Sequence, residues 1–278
     1  ETNSKKVMEI LASYTPLIQQ NSIDEAWLDL TGCEKLLGNP LQIAENIMGR
    51  IQRELDLWCS IGISENKFLA KMASELKKPL GITELYVKDI KEKMWPLPVR
   101  EMYGIGKQTA KKLNEMAIYT IGDIAKVDVD ILKKRFGKYG EELHRLSKGI
   151  DNSPVVRDPV YDSKSISHST TLPFDTRDVD YLKTVLLQLS EEVGYDARKN
   201  GYKGKTVFIT IKYDDFTSIT RQRKTAQPTF LTKDIYQTSV SLLMENMGKS
   251  KKIRLIGVGI CNFQDEDVEQ ISMFEFIG

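Results

Sequence analysis

The sequence has few of the residues that mark secreted, zinc-binding or membrane proteins. Its 278 residues include three cysteines, Cys33, Cys59 and Cys261, and two histidines, His144 and His168. These residues are too few and too scattered for a disulfide framework or a zinc cluster, and they fit reduced thiols in the cytosol. No run of about 18 apolar residues occurs, and the first residues lack a signal-peptide pattern, so we expect no membrane partner.

The net charge of +1 conceals an uneven distribution of charge along the chain. The balance of basic and acidic side chains is −2 for residues 1–97, +3 for 98–156, +5 for 157–263 and −5 for 264–278. Two consecutive basic segments favour a polyanionic partner such as nucleic acid. A modest basic excess is also common on solvated surfaces, so charge alone leaves both interpretations open.

The first third of the chain alternates between strand-like and helical patterns. Apolar residues at helical spacing predict helices over 5–14, 40–57 and 67–77, and apolar runs predict strands over 22–31 and 57–63. Strands and helices that alternate in this order predict an α/β layer with helices on one face of a sheet.

The rest of the chain divides by composition. Residues 98–150 have a helical pattern broken by glycines, 151–163 have the composition of a linker, and 164–263 follow the ferredoxin-like order β-α-β-β-α-β. The protein is therefore predicted to be α+β. Its five predicted segments are 1–97, 98–150, 151–163, 164–263 and 264–278.

Two adjacent carboxylates, Asp24 and Glu25, interrupt an otherwise apolar run. A buried carboxylate is costly unless it is paired or coordinates a metal, so the two acids together favour a cation site. Neighbouring side chains on a flat strand point to opposite faces, but strand ends and turns relax this constraint. A surface turn beside a hydrophobic hairpin is the alternative.

Glycine-rich turns in the helical segment form a second candidate site. Gly104, Gly106 and Lys107 lie between two amphipathic stretches, a pattern typical of a helix-hairpin-helix, and Gly137 and Gly140 form a second turn of this kind. Tight glycine turns allow backbone N–H groups at a helix N-terminus to meet a phosphate. A plain helical hairpin with glycine caps would give the same pattern.

The segment Ser22-Ile23-Asp24-Glu25-Ala26-Trp27-Leu28-Asp29 resembles the signature of the Y-family translesion DNA polymerases, and most closely that of the DNA polymerase IV branch. The resemblance continues through 62–74, 77–81 and 103–106, and it runs through nearly all of the chain in the order of the family. It implies a partial palm over 1–97, a helix-hairpin-helix thumb over 98–150 and a little-finger DNA-binding domain over 164–263.

The resemblance also implies a reaction, template-directed nucleotide addition with two Mg²⁺ ions held by carboxylates. Asp24 would bridge both ions, and Glu25 would ligate the ion that activates the primer hydroxyl. Lys78 would contact the triphosphate, with Lys71 as a weaker candidate. The implied partners are primer–template DNA and deoxynucleoside triphosphates.

In the 164–263 segment, Arg221 and Arg223 are two residues apart on a predicted strand and therefore share one face. We expect that face, together with Ser165 and Ser167 of the first strand, to lie against the DNA backbone. Lys224 and Arg254 are further candidates for DNA contact. A solvated sheet face is the alternative, since an open antiparallel sheet normally has one.

The acidic tail ends in a segment that resembles the peptide by which bacterial polymerases bind the sliding clamp. Ile271, Met273 and Phe274 would enter an apolar groove, while Gln270 would make polar contacts. The end of a strand packed on the core is the alternative. The resemblance implies a bacterial, cytoplasmic protein that works at the nucleoid.

The sequence departs from the family pattern at its beginning. The family's first strand with a further metal-binding Asp, its aromatic steric gate and its fingers do not precede Glu1, so we expect a fragment that does not polymerise alone. We also expect the palm, with its uncovered sheet edge, to be less stable than the little finger or to pair with another copy of the chain. A non-catalytic protein that binds DNA and the clamp is the main alternative. A helix-hairpin-helix adaptor or nuclease subunit is a weaker one, because Asp24, Glu25 and Lys78 would then be coincidences.

Overall fold

The computed structural model describes residues 2–157, 163–248 and 250–263. The chain divides into two compact units, Glu1–Val160 and Tyr161–Gly278, called unit 1 and unit 2 below. Within the described residues, no helix is long and apolar enough to cross a membrane.

Unit 1 combines short strands with many short helices. Its strands are β1 (Ile18–Gln20), β2 (Ala26–Leu28), β3 (Ile61–Ile63) and β4 (Ile82–Glu84). Its helices are α1 (Thr2–Ala12), α2 (Glu34–Leu37), α3 (Pro40–Leu55), α4 (Lys67–Leu76), α5 (Ile90–Lys93), α6 (Lys107–Asn114), α7 (Ile121–Lys126), α8 (Val129–Phe136) and α9 (Lys138–Ser147). Two 3₁₀ turns lie at Val87–Asp89 and Val99–Glu101.

The strands of unit 1 form two separate pairs. β1 and β2 form an antiparallel hairpin, and β3 and β4 pair in parallel. The predicted strand over 22–31 is confirmed only in part, because residues 22–25 form a turn and only 26–28 are strand. The short strands β1 and β4 and the helix α2 were not predicted.

Local capping explains why the predicted helix over 40–57 is present as α3. The Asn39 side chain accepts from the Gln42 N–H and the Gln42 side chain accepts from the Asn39 N–H, which together form a capping box. Pro40 at the first helical position has no N–H that would need a partner. Asp56, with φ of 54°, ends the helix in the left-handed region.

One hydrophobic core extends across the predicted boundary at residue 97. Phe68, Leu69 and Met72 of α4 pack in the same cluster as Leu113 of α6 and Leu143 of α9. A second, smaller cluster joins α1 and α3 to the β1–β2 hairpin. The α4 helix therefore lies on the larger of the two cores, and this position fixes the side chains that it presents to the hairpin.

Unit 2 contains one four-stranded antiparallel sheet with two helices. In chain order its elements are β5 (Ser165–Thr176), α10 (Val179–Lys199), β6 (Gly204–Tyr213), β7 (Ser218–Thr229), α11 (Thr232–Asn246) and β8 (Ile253–Phe263). The predicted order β-α-β-β-α-β is confirmed. The strands lie side by side as β5-β8-β6-β7, so β5 and β7 form the edges of the sheet.

Both helices of unit 2 pack on the same face of this sheet. Val207, Ile209, Val258 and Ile260 point to that face and form a core with Leu186 and its neighbours on the helices. Among the described residues of unit 2, no helix packs on the opposite face of this sheet. The register of the strands decides which side chains are displayed there.

Candidate active site and nucleic-acid interface

Asp24 and Glu25 lie in the turn of the β1–β2 hairpin. The N–H groups of Asn21 and Ser22 both donate to the Glu25 carbonyl, at 2.8 and 3.2 Å, and close the turn. The Ser22 hydroxyl donates to Asp24 Oδ1 at 2.5 Å. Such local hydrogen bonds compete with strand pairing, which explains why the predicted strand does not begin at Ser22. In a turn, the alternation of strand faces does not keep two adjacent carboxylates apart.

The hairpin is tied to the start of α4. The Trp27 indole N–H donates to the Lys67 carbonyl at 3.1 Å, and the Lys67 ammonium donates to Gln19 Oε1 at 3.0 Å. The same ammonium lies 5.3 Å from the centre of the Trp27 ring. Both strands of the hairpin are therefore held against the helix that carries Lys71.

Lys71 is the direct partner of Glu25. Its Nζ atom lies 2.8 Å from Glu25 Oε1 and 2.6 Å from Glu75 Oε1, and 5.8 Å from the centre of the Tyr103 ring. The hydrogen bond from Lys71, with help from Asn21, lowers the pKa of the Glu25 carboxyl, against the effect of burial. Burial alone would lower the pKa of Lys71, but the bonds to Glu25 and Glu75 raise it overall.

Lys78 joins the same group of charges through Glu75. The Lys78 ammonium donates to Glu75 Oε1 at 2.8 Å, and its side chain is 53% exposed. Burial would raise the pKa of Glu75, but the hydrogen bonds from Lys71 and Lys78 lower it. The structure thus brings the four predicted residues of the site into one region, with Asp24 and Glu25 on the hairpin and the two lysines at α4.

Glu75 is the member of this group that the sequence reasoning missed. The signal was present, because Lys71, Glu75 and Lys78 stand four and three residues apart, and side chains at such spacing meet on a helix surface. Asn21, which donates to Glu25 Oε2 at 3.1 Å, was missed as well. The sequence gave no indication of this contact, since only the geometry of the hairpin brings Asn21 beside Glu25.

Asp24 and Glu25 fit a hard divalent cation in the type of atom that they offer. Both present carboxylate oxygens, which Mg²⁺ and Mn²⁺ prefer. In the described part of the chain, however, no group of three or more His, Cys, Asp or Glu side chains is placed to hold a metal. The two acids therefore fit part of a ligand set.

The first glycine turn of the helical segment is exposed and ends at the start of α6. Gly104 has φ of 91°, in the region that favours glycine, and its carbonyl accepts from the Tyr139 hydroxyl at 2.7 Å. Gly106 is the N-cap residue of α6, and among the described residues no side chain caps this helix. Lys107 follows directly and is exposed.

In the second turn only Gly137 has the predicted setting. It is exposed with φ of 65° and stands at the start of α9. Gly140 is buried inside α9, and a Cβ there would lie 2.3 Å from the Leu132 carbonyl oxygen. The prediction that Gly140 contributes to a phosphate-binding turn is therefore wrong, because this glycine allows α8 and α9 to approach closely.

The predicted DNA face of unit 2 needs a correction. Arg221 stands opposite Ile209 and Arg223 opposite Val207, so both arginines point to the helix-covered face. Arg223 donates to both carboxylate oxygens of Glu245, at 2.8 and 2.7 Å, and Arg221 Nε donates to Asn246 Oδ1 at 3.0 Å. The expectation that they share a face with Ser165 and Ser167 is wrong, because alternation shows which residues share a face but not which face it is.

The open face carries Ser165, Ser167 and Lys224. Ser165 pairs with Cys261, which pairs with Thr206, which in turn pairs with Lys224, so this row crosses the sheet on one face. In the neighbouring row, Ser167 pairs with Gly259, and the Phe208 ring lies over this glycine, because a Cβ there would be 2.3 Å from Phe208 Cζ. The two serines and Lys224 are exposed.

Arg254 is the second residue of β8, at the opposite end of the strand from Cys261. Its guanidinium is 4.8 Å from the centre of the Phe216 ring and 3.5 Å from Asp175 Oδ1. The clamp-binding candidates Gln270, Ile271, Met273 and Phe274 lie outside the described residues.

Three family models match the chain, in the order palm, thumb and little finger that the resemblance implied. The impB/mucB/samB family matches residues 1–75, the thumb domain of DNA polymerase-iota matches 100–151, and the impB/mucB/samB family C-terminal domain matches 163–273.

Curated relatives match over almost the whole chain. DNA polymerase IV of Clostridium kluyveri is 54% identical over 99% of this chain and 68% of its own length, and that of Alkaliphilus oremlandii is 50% identical over 98% and 68%. DNA polymerase IV 2 of Bacillus subtilis is 40% identical over 98% and 68%.

Solved structures agree with these relatives. A Y-family DNA polymerase chimera has a TM-score of 0.78 and 26% identity, over 95% of this chain and 76% of its own. An insertion ternary complex of Dbh DNA polymerase has a TM-score of 0.54 over the same shares. Matches to sequence and to structure thus define a template-directed DNA polymerase.

Within that class, the chain belongs to the Y-family of translesion DNA polymerases, in the DNA polymerase IV group. The resemblance carried by residues 22–29 is thereby confirmed, as is the α+β fold. Members of this family are DNA-directed nucleotidyltransferases that depend on divalent metal ions.

Proposed function

We propose that Asp24 and Glu25 hold Mg²⁺ for nucleotidyl transfer to a primer. The observation that carries this proposal is their position in the hairpin turn, beside Lys71 of α4, which Glu75 links to Lys78 just after that helix. When bound, the ions would activate the primer hydroxyl and neutralise negative charge on the triphosphate. Lys71 holds the Glu25 carboxylate in place and lowers its pKa.

Lys78 is the proposed triphosphate contact. Its ammonium is exposed and lies within the same ion-pair group as Glu25, so it offers a mobile positive charge beside the metal-binding acids. Lys71 is less suited to this role, because its side chain is 14% exposed and already has two carboxylate partners.

Two surfaces are proposed to hold the primer–template duplex. The start of α6, with Gly104, Gly106 and Lys107, and the start of α9 at Gly137 present backbone N–H groups to phosphates. In unit 2, the open sheet face with Ser165, Ser167 and Lys224 lies against the sugar–phosphate backbone, and Arg254 is a further candidate. Arg221 and Arg223 instead stabilise the edge strand β7 against α11.

The tail and the place of action are proposed from the sequence alone. Gln270, Ile271, Met273 and Phe274 would bind the sliding clamp as a short extended peptide. The curated relatives are bacterial, which supports work in the cytoplasm at the nucleoid.

We propose that the 278-residue chain by itself binds DNA but does not extend a primer. Two carboxylates would hold the metals weakly, and loss of a metal ligand commonly costs about three orders of magnitude in rate or more. A non-catalytic DNA- and clamp-binding function is the second candidate. It would use the exposed glycine turn at the start of α6 and the open sheet face of unit 2, neither of which needs a metal ion.

Mn²⁺ binding, followed by water-proton relaxation, tests the site without requiring catalysis. We expect Asp24→Asn and Glu25→Gln each to weaken binding by about tenfold or more. Asp29→Asn is the matched control, since Asp29 lies on the same hairpin but accepts from the Thr31 N–H. Equal Mn²⁺ binding by all variants would reject the metal site and leave the non-catalytic function.

DNA binding and primer extension complete the test. Fluorescence anisotropy should show binding to a primer–template that weakens with salt. A parallel assay with Mg²⁺ and all four nucleotides should show no extension. Measurable extension would contradict the proposed inactivity, and failure to bind the duplex would contradict both candidate functions.

A further inference from the structure

Glu75 joins two lysines that have separate roles in the proposed function. Its Oε1 atom accepts from Lys71 Nζ at 2.6 Å and from Lys78 Nζ at 2.8 Å. Lys71 also donates to Glu25. Four side chains thus form a continuous chain of ion pairs in the order Glu25, Lys71, Glu75, Lys78, with two positive and two negative charges.

The two lysines differ in how firmly they are held. The Lys71 side chain is 14% exposed and lies between two carboxylates and the Tyr103 ring. The Lys78 side chain is 53% exposed and, within the described residues, pairs with Glu75 alone. Exposed ion pairs contribute little because water solvates both charges. Lys78 can therefore exchange its partner, whereas Lys71 would lose a half-buried pair.

We infer that Glu75 is a positioning residue that holds Lys78 beside the site and releases it to an incoming triphosphate. This inference rests on the role proposed for Lys78. A triphosphate presents several negative charges on neighbouring oxygens, so it outcompetes a single carboxylate for an exposed ammonium. After the exchange, Glu75 remains paired with Lys71, which in turn remains on Glu25.

Binding of inorganic triphosphate to the full chain, measured by calorimetry at low salt, tests this exchange in the absence of metal. Glu75→Gln removes the competing charge, and we expect about two- to fivefold tighter binding. Lys78→Gln should weaken binding by about tenfold. In the double variant Glu75→Gln/Lys78→Gln, the gain from the first change should disappear, because no ammonium remains to be released.

Two further variants distinguish the proposed positioning role of Glu75 from a general effect of removing a negative charge and from an effect on folding. Glu75→Asp keeps the charge and should bind like the unmodified chain. Glu54→Gln removes an acid from an exposed pair with Arg50 and should change nothing. An unchanged affinity in Glu75→Gln, or an equal gain with and without Lys78, would overturn the inference. Unchanged binding in Lys78→Gln would instead overturn the proposed role of Lys78, and the inference with it.

Discussion

The two units of this polymerase differ in how their strands are supported. In unit 2, strands of 10 to 12 residues form one sheet over one core. In unit 1, the strands have three residues each and form two separate pairs. The proposed catalytic acids lie in unit 1, in the turn of the β1–β2 hairpin.

This difference suggests that the two units have different roles. A long, continuous sheet gives a stable surface for a duplex that presents a repeating backbone. A short hairpin has few pairing partners of its own, so its position depends on side-chain contacts such as those of Trp27 and Lys67 with α4. Local stability is commonly lowest where groups must bind and release ligands.

Amide hydrogen exchange is expected to show the largest difference between the units. Amides of β6 and β8, each with strand partners on both sides, should exchange only when unit 2 unfolds. Amides of β1 and β2 should exchange at least about 100-fold faster through local opening. Amides of α4 provide an internal comparison, since this helix packs on the larger core of unit 1. Equal protection of the hairpin and of β6 would remove the proposed contrast.

Substitution of a buried glycine and of an exposed glycine in residues 98–150 should have different effects on stability and on DNA affinity. Gly140→Ala places a Cβ 2.3 Å from a backbone carbonyl, and we expect a loss of about 1–3 kcal/mol in the free energy of unfolding. Gly106→Ala meets no atom within 4 Å at a φ of −82°, so stability should change by less than about 0.5 kcal/mol while DNA affinity falls. Chemical denaturation and anisotropy measure the two effects. Similar losses of stability would contradict the assigned roles.

Neighbouring residues of β7 give a finer test within unit 2. Lys224→Ala should lower the dependence of log affinity for DNA on log salt concentration by about 0.9, as expected when one phosphate contact is lost. Arg223→Ala should leave that slope unchanged and change stability little, because the pair with Glu245 that it removes is exposed to solvent. Salt titrations of both variants check this. A slope change in Arg223→Ala alone would reverse the assignment of the faces.

The sequence allowed the helices to be predicted well where a cap and an apolar stripe agreed. Helix α3 has both, and its predicted span over 40–57 differs from the structure only at its end. The strand over 22–31 was less predictable, because its partner β1 has no distinctive pattern and because the hydrogen bond from the Ser22 hydroxyl to Asp24 helps to keep residues 22–25 in a turn.

The candidate site was predictable from the adjacent acids Asp24 and Glu25 and from the family resemblance, which supplied the two lysines. Asp24, Glu25, Lys71 and Lys78 do come together, but sequence spacing could not show that Asn21 lies beside Glu25. The face of Arg221 and Arg223 depends on register with β6, and a long arginine side chain is compatible with either face of an edge strand. Likewise, only the packing of α8 on α9 distinguishes Gly140 from a turn glycine.

Low pH is expected to lower the stability of each unit, because each has ion pairs whose carboxylates become protonated. This is the smallest of the predicted effects. The pKa values of Glu25 and Glu75 are lowered in the folded chain, so their stabilising contribution is present above the unfolded value of about 4.3. It is lost as the pH falls through the lower folded values, because the unfolded chain then binds more protons. In unit 2, Arg223 lowers the pKa of Glu245 in the same sense.

Matched variants assign the acid sensitivity to one unit or the other. Glu75→Gln should flatten the pH dependence of hairpin stability between about pH 5 and 3 and leave unit 2 unchanged, whereas Glu245→Gln should do the reverse. Amide exchange of β2 and of β7, measured across this range, reports each unit separately. If Glu75→Gln left the hairpin as acid-sensitive as before, the ion pairs with Lys71 and Lys78 would not support it, and the hairpin would depend on its apolar contacts with α1 and α3 instead.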